Sequence, residues 1–600
     1  MAFDPSTITI EIVDSSSKIA DFMHWVTNVR TDVMGVDVET SGLDWYDGKL
    51  KLVQFGSGDQ GWAIPFQMFP FLVDEAMRII DVERKLHLVG HNFRFDLHWL
   101  DRHTSWTPTN WTRYHDTMLM ASVLNSSGPK GLKDLSTIHV HPIAARGQQI
   151  LQDAMKQGGW DWATVPPLLE AYWVYGVIDT ILTVNLMAVL YPRVKASGCF
   201  EAYETERGCM PALYAMEKRG MLVDSEHCAR QIEELQGRMQ VIETDVLEYG
   251  ISNIGSANQL IRAFLDAGVE LTTRTDSGRN YSMSRDALEE LVARQGDHPL
   301  VKMVNTYRTA EKYAGSYYGN FLRYQRSDGR VHPAFRQVAA KTGRMSAQFP
   351  AVQTVPRSET DPNVRNSFVA DEGNVLISID FTNVEARIFA HFAQEHGMLE
   401  AIRAGVDLHG YTAQQVYKLW DTVAPKDHPL RQVAKNTLFC MLFGGGATKV
   451  AYTAGVDLET AKNAFNGIHA AFPGIKKFQK TIEGMAVANL NETGQAWIRG
   501  IDGRILAMSE NDNRYYAFTN WLIQGTATVL LKQRLSVIHQ MGLSEHCISV
   551  IHDEVIGEVP EEDAEEFSHA MADAMLDEHQ FSVPIVADPG YPAKRLGDAK

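Results

Sequence analysis

The stretch Val375–Arg387, VLISIDFTNVEAR, sets the reading of this chain, because an apolar run that ends abruptly on Asp380 describes a buried strand carrying a carboxylate to its tip. A second acid, Glu385, follows at the start of the next segment. Further on, Ile548–Glu558, ISVIHDEVIGE, alternates apolar residues about a central His-Asp-Glu, which predicts a tight hairpin presenting Asp553 and Glu554 beside the first strand. Carboxylates from separate strands, converging at one end of a sheet, suit a pair of hard divalent cations.

The chain has 600 residues, too many for one core, so three or more domains are expected. With 45% hydrophobic and 22% charged residues the composition is that of a soluble globular protein. No apolar run is read as long enough to span a membrane, and the N-terminus lacks the regions of a signal peptide, so a cytosolic location is expected, without membrane contact. The five cysteines form no CxxC pair and read as free thiols. His139 and His141, in IHVHP, read as a solvent-facing strand rather than a metal site.

A net charge of -18 argues against nucleic acid, yet the local charge disagrees. Between Leu300 and Ser346 nine basic residues, Lys312 and Arg344 among them, face only two acids, with tyrosines 307, 313, 317, 318 and 324 interleaved. That pattern suits a surface tracking a nucleic-acid backbone and its bases. The acidic run Glu558–Glu578 reads as a solvated helical face.

The first segment reads as mixed α/β, with strands at Val33–Val38, Leu50–Gly56, Gly61–Pro65 and His87–Gly90. Asp37 and Glu39 alternate along one strand and share a face. Asp96 lies at a strand-to-helix junction, HNFRFDLHWL, and Tyr175 and Asp179 are four apart on an apolar helix. DxE, HNxxFD and YxxxD in this order resemble the three motifs of the DEDDy proofreading 3′–5′ exonucleases. The resemblance implies two metal ions held by Asp37, Glu39, Asp96 and Asp179, with Tyr175 orienting the attacking water. From Glu206 to about Arg330 the pattern is helical, with capped starts in NIGSANQL and RDALEELV, and predicts a long two-helix arm.

Beyond the arm, DGRVHPAFRQVAAKTGRMSAQFPAVQTVP and then DFTNVEAR, DLH and VIHDEV resemble the family A DNA polymerases, the group of bacterial DNA polymerase I and several phage replicases. The resemblance covers almost the whole chain. Between the acid-bearing stretches, PLRQVAKNTLFCMLFGGG places Arg431, Lys435, Phe439 and Phe443 at intervals of four, one slowly winding helical stripe that drifts by roughly 40° per step. Unpaired cations are costly to bury, so a stripe of cations and aromatics is expected to face an anionic, aromatic ligand such as a nucleoside triphosphate. By resemblance, Arg431 and Lys435 meet phosphates, Phe439 and Phe443 the base and sugar side, and His409 a further phosphate.

The resemblance further implies that Asp380 and Asp553 hold two Mg2+ ions with the Phe381 carbonyl as an extra ligand, Mn2+ being a substitute, and that Glu554 joins the catalytic acids. Glu385 is expected where a ribose 2′-OH would intrude. Arg344, Gln353, Gln524 and His552 match positions that contact template or primer, and Lys312 is placed with them. Departures are Phe443 where DNA polymerase I has Tyr, Ala351 and Thr354 for asparagines, and Ala347 for a serine.

The expected architecture is multidomain, α/β and α+β: a ribonuclease H-like exonuclease domain (1–204), then a right hand of thumb (205–330), palm (331–395), fingers (396–500) and palm (501–600). The 5′ nuclease domain of DNA polymerase I is read as absent, which suits a phage-type replicase, monomeric, in the cytoplasm of a bacterial host. Its expected partners are primer-template DNA, dNTPs, a single-stranded 3′ end in the exonuclease site and replication accessory proteins. A single-subunit RNA polymerase would be expected to lack the nuclease motifs and Glu385. An inactive scaffold would not be expected to keep all six core carboxylates.

Overall fold

The computed structural model describes residues 4–275, 277–358, 361–442 and 444–599. They form two compact units, 1–219 with 335–346 and 482–547, and 220–334 with 347–481 and 548–600.

The first unit is built on a six-stranded sheet of β1 (Thr9–Ile12), β2 (Val33–Thr40), β3 (Leu50–Gly56), β4 (Gln60–Pro65), β5 (His87–Gly90) and β6 (Tyr114–Asp116), in the order β1-β4-β3-β2-β5-β6. Strands β2, β3 and β4 run antiparallel, and β5 and β6 add in parallel. The sequence reading places four of the six. The outer strands β1 and β6 are four and three residues long, too short to show a period. Among the helices of the exonuclease-like segment, α1 (Arg94–His103), α2 (Thr117–Leu124), α3 (Leu132–His139) and α4 (Glu170–Ala196) bear on the site.

Helix α4 corrects one expectation: it is long and apolar enough to cross a membrane by length and composition. It lies instead against β2, β3 and β4, where an all-round apolar surface is what burial requires. The approach is close because Gly35 and Gly56 face it; a Cβ on Gly35 would sit 2.6 Å from the Thr180 carbonyl oxygen. Asp179 is thereby carried onto the sheet. His139 ends helix α3 rather than lying in a strand. Helix α5 (Phe200–Arg219) runs through the position where the exonuclease segment is expected to end, and pairs with α11 (Ala517–Gln540).

In the second unit, α6 (Ser225–Asp245) and α7 (Pro299–Lys312) pack together as the expected helical arm. The two expected caps are present, Ser256 accepting from the Gln259 N–H and Ser284 from the Ala287 N–H. The basic, tyrosine-rich stretch is not one surface: residues 335–346 belong to the first unit, Tyr317 and Tyr318 are core, and Arg330 is spent on Glu558 and Asp371.

A four-stranded sheet carries the palm-like segment, in the order β8-β9-β7-β10, from β7 (Asn374–Phe381), β8 (Cys547–Ile551), β9 (Glu554–Pro560) and β10 (Ala587–Asp588). Glu558 lies on β9 and is fully buried, so the acidic run is helical and solvated only in its later part, α12 (Ala564–Met575). Helices α8 (Val384–Ala393), α9 (Leu408–Tyr417) and α10 (Pro429–Leu442) belong to the same unit.

Candidate functional site

The structure brings Asp380 and Asp553 to one end of the palm-like sheet. Strand β7 is apolar and buried until it reaches Asp380, whose backbone pairs with Glu554 on one side and Asp588 on the other. Asp553 sits in the two-residue connection between β8 and β9. His552 holds a left-handed conformation there, with φ of 59°, which side-chain-bearing residues seldom adopt outside tight turns and functional sites. Both aspartates line a cavity of about 520 Å3 shared with Arg357, Phe381, His552 and Tyr591. Burial by the cavity walls, followed by repulsion from Asp553 and Glu554, pushes the Asp380 carboxyl up to about 7. A site that penalises adjacent negative charges in this way favours a cation.

Glu554, expected among the catalytic acids, lines the same cavity and is also tied into the scaffold. Its two carboxylate oxygens accept a bidentate pair from Arg365, at 2.7 and 2.8 Å, and one also accepts from the Ser378 hydroxyl. It anchors the sheet beneath the cavity. Beyond Asp380, a left-handed Asn383 turns the chain into α8, with Glu385 in its first turn. Arg387 braces that turn by donating to the carbonyls of Thr382 and Pro584, both at 2.8 Å.

Three of the four stripe residues lie along α10. Val433, Ala434, Thr437, Leu438, Cys440 and Met441 are buried on one side, whereas Arg431, Lys435 and Phe439 stay half-exposed on the other. Phe443 lies outside the described residues. Arg431 donates at 2.6 and 2.9 Å to Asp407, which also caps α9. His409, in the first turn of α9, is 3% exposed, and neither ring nitrogen has a hydrogen-bond partner among the described residues. Burial, with Lys435 next, holds its pKa down at about 4, so the ring is a neutral donor with an unused N–H. This buried donor lies beside Phe439, with ring centroids 5.6 Å apart.

The residues expected to contact nucleic acid divide between the units. Arg344, exposed, and Gln524, half-buried, belong to the first; Lys312, exposed with its ammonium 5.2 Å over the Tyr317 ring, Gln353, buried, and His552 belong to the second.

The four acids of the nuclease-like motifs lie on neighbouring elements of the first unit. Asp37 and Glu39 project from β2, Asp96 from the first turn of α1, and Asp179 from α4 with Tyr175 one turn earlier. Asp96 accepts from the Val38 N–H at 3.2 Å, tying α1 to β2 between the two strand acids. Burial drives the Asp37 carboxyl up to about 7; Glu39 and Asp96 are pushed well above the ordinary range by burial and then by Asp37. Among the described residues no three metal-binding side chains yet close round one point. The chemistry of the donor set nevertheless fits a cation, because three buried carboxyls and the half-buried Asp37 are otherwise balanced chiefly by Lys133, whose ammonium pairs with Asp179.

Sequence reasoning misses three residues here. Lys133 stands in an ordinary amphipathic helix. Asp116 caps α2 and also accepts from the Asn92 and Phe93 N–H groups, fixing the loop that launches Asp96. Lys51 is buried and donates to the carbonyls of Trp162, Ala163 and Val165. Only Asp116, four N–H partners on a helix N-cap, carries a local signal, in the HDT of β6.

Residues 225–594 match DNA polymerase family A, and residues 10–195 match a 3′–5′ exonuclease. The chain is 28% identical over 589 residues to a DNA polymerase of Mycobacterium phage D29, covering 95% of this chain and 94% of that one. It is 26% identical to DNA polymerase I of Pseudomonas aeruginosa, covering 95% of this chain and 64% of the relative. In fold it is similar to the polymerase domain of Pol1 from M. smegmatis, solved with DNA primer-template and dNTP, with a TM-score of 0.80 at 21% identity, covering 98% of this chain and 99% of the other.

Proposed function

The chain belongs to DNA polymerase family A, and on that footing we propose how its two acidic centres divide the work. It is a DNA-directed DNA polymerase that carries a 3′–5′ exonuclease domain, binds DNA and dNTPs, and depends on divalent metal. The segments are assigned as exonuclease 1–204, thumb 205–330, palm 331–395 and 501–600, and fingers 396–500. The enzyme works as a monomeric phage-type replicase in the cytoplasm of a bacterial host, with accessory proteins still to be identified.

The observation that carries the polymerase assignment is the pairing of Asp380 and Asp553 on one open cavity, with Glu554 on the same wall and held there by Arg365. Asp380, Asp553 and the Phe381 carbonyl would hold the metal ions, two per site and Mg2+ by preference. Bound there, the ions supply charge neutralisation and an activated primer 3′ oxygen. The remaining steps belong to the protein. Arg431 exchanges Asp407 for the triphosphate; Lys435 and the His409 N–H add to the phosphate contacts, and Phe439 lies along base and sugar. Glu385 fills the space of a 2′-OH. Arg344, Gln353, Gln524, His552 and Lys312 contact primer and template through groups that do not distinguish sequence.

In the exonuclease, Asp37, Glu39, Asp96 and Asp179 take the same metal-holding role, and the Tyr175 hydroxyl, kept protonated by burial, orients the attacking water. Primer extension with Mg2+, comparing dNTPs with NTPs and following loss of the 3′ end, tests the assignment. Extension with dNTPs and trimming without them is expected. Extension with NTPs alone would favour an RNA polymerase, and neither reaction would favour a scaffold.

A further inference from the structure

Lys133 is unassigned by the motifs. It lies on α3, packed against α4, with its side chain 12% exposed. Its ammonium forms an ion pair with Asp179 and stands 4.4 Å over the Tyr175 ring. It thus touches two of the five residues assigned to the exonuclease centre. An ammonium resting on a carboxylate and an aromatic face gains charge pairing and cation–π attraction together. Both partners are groups that need a cation or a water at the same place during the reaction.

We propose that Lys133 is the exonuclease centre's built-in counter-cation: it occupies the cation position at Asp179 when no divalent ion is bound, and has to leave that position for metal to bind. This rests on the assignment of Asp37, Glu39, Asp96 and Asp179 as metal ligands. Two consequences follow. Without metal, Lys133 keeps four crowded carboxyls from destabilising the sheet. With metal, its eviction raises the divalent concentration at which the centre fills. Lys133 is therefore a positioning residue, acting through Asp179.

The test is Mn2+ binding by calorimetry to the full-length protein carrying Asp380→Ala and Asp553→Ala, so that only the exonuclease centre reports. In that background Lys133→Met removes the charge while keeping the length of the chain, and is expected to bind Mn2+ about tenfold more tightly. Lys133→Arg keeps a cation and is expected to stay near the parent affinity, a distinction that a merely structural role would not produce. Unchanged or weaker binding in Lys133→Met overturns the proposal. If that variant does not fold, amine acylation of the parent protein read by mass spectrometry decides. Lys133 is expected to be protected without Mn2+ and to gain reactivity several-fold with it; equal reactivity overturns the proposal. Asp37→Ala with Glu39→Ala separates the two levels, because Mn2+ binding that survives this change would fail the ligand assignment itself, whatever Lys133 does.

Discussion

Asp553 and Glu554 adjoin in the sequence and both line the cavity, yet only Glu554 is tied by a bidentate pair to Arg365, 189 residues away. Adjacent acids at a hairpin tip are legible as a site; which of them is spent on the scaffold is not, because the deciding partner is distant in the chain. Replacing Arg365 by Ala strands a buried carboxylate, an effect of roughly 3–5 kcal/mol on stability. Chemical denaturation measures it, and Glu554→Gln with Arg365→Met, which removes both charges, is expected to recover most of the loss. At the sugar, Phe439→Tyr is expected to raise the ddNTP/dNTP ratio of kcat/KM by about one to two powers of ten. A tyrosine hydroxyl can supply a hydrogen bond that a missing 3′-OH would otherwise make; an exonuclease-deficient background keeps excision from masking the result. Glu385→Ala is expected to ease ribonucleotide entry, read as the rNTP/dNTP ratio of kcat/KM. Lys133 was invisible for the same reason as Arg365, since a lysine on a helix face reads as solvated until the facing helix is known.

The elements that were legible are those whose signal is local. Strand β7, the His552–Asp553 hairpin and the α10 stripe each announce themselves by periodicity within one helix or one pair of adjacent strands. Glu558 shows the limit: its acidic neighbours suggest a solvated helix, but it sits on a buried strand where Arg330 neutralises it. Helix α11 holds a stronger case. Lys532, wholly buried, donates to Glu206 at 2.7 and 2.8 Å and to the carbonyls of Gln337 and Gly343 at 2.9 and 2.8 Å, while Arg504 meets the same glutamate at 2.9 Å. These contacts tie α5, α11 and the 335–346 segment into the first unit. Lys532→Met leaves that glutamate undercompensated and two carbonyls unpaired. A destabilisation of roughly 3–5 kcal/mol is expected, measurable as a lower Tm.

Across the whole molecule the two acidic centres share one electrostatic signature. Asp37 and Asp380 are both raised to about 7, chiefly by burial. Because the folded protein then holds protons that the unfolded chain has already released above pH ~4, these groups cost stability as the pH climbs from about 4 to 7. In EDTA, Tm measured against a variant carrying Asp37→Asn and Asp380→Asn is expected to fall across that window, and divalent metal to flatten the fall. The same argument makes metal binding weaken below neutrality.

The central claim is that extension and 3′ trimming are run by separate centres, Asp380 with Asp553 in one and Asp37, Glu39, Asp96 and Asp179 in the other. Assaying both reactions on one 5′-labelled primer-template, for Asp380→Ala and for Asp37→Ala with Glu39→Ala, tests it directly. The first protein is expected to trim at the parent rate without extending, and the second to extend without trimming; either folded variant losing both reactions would contradict the account.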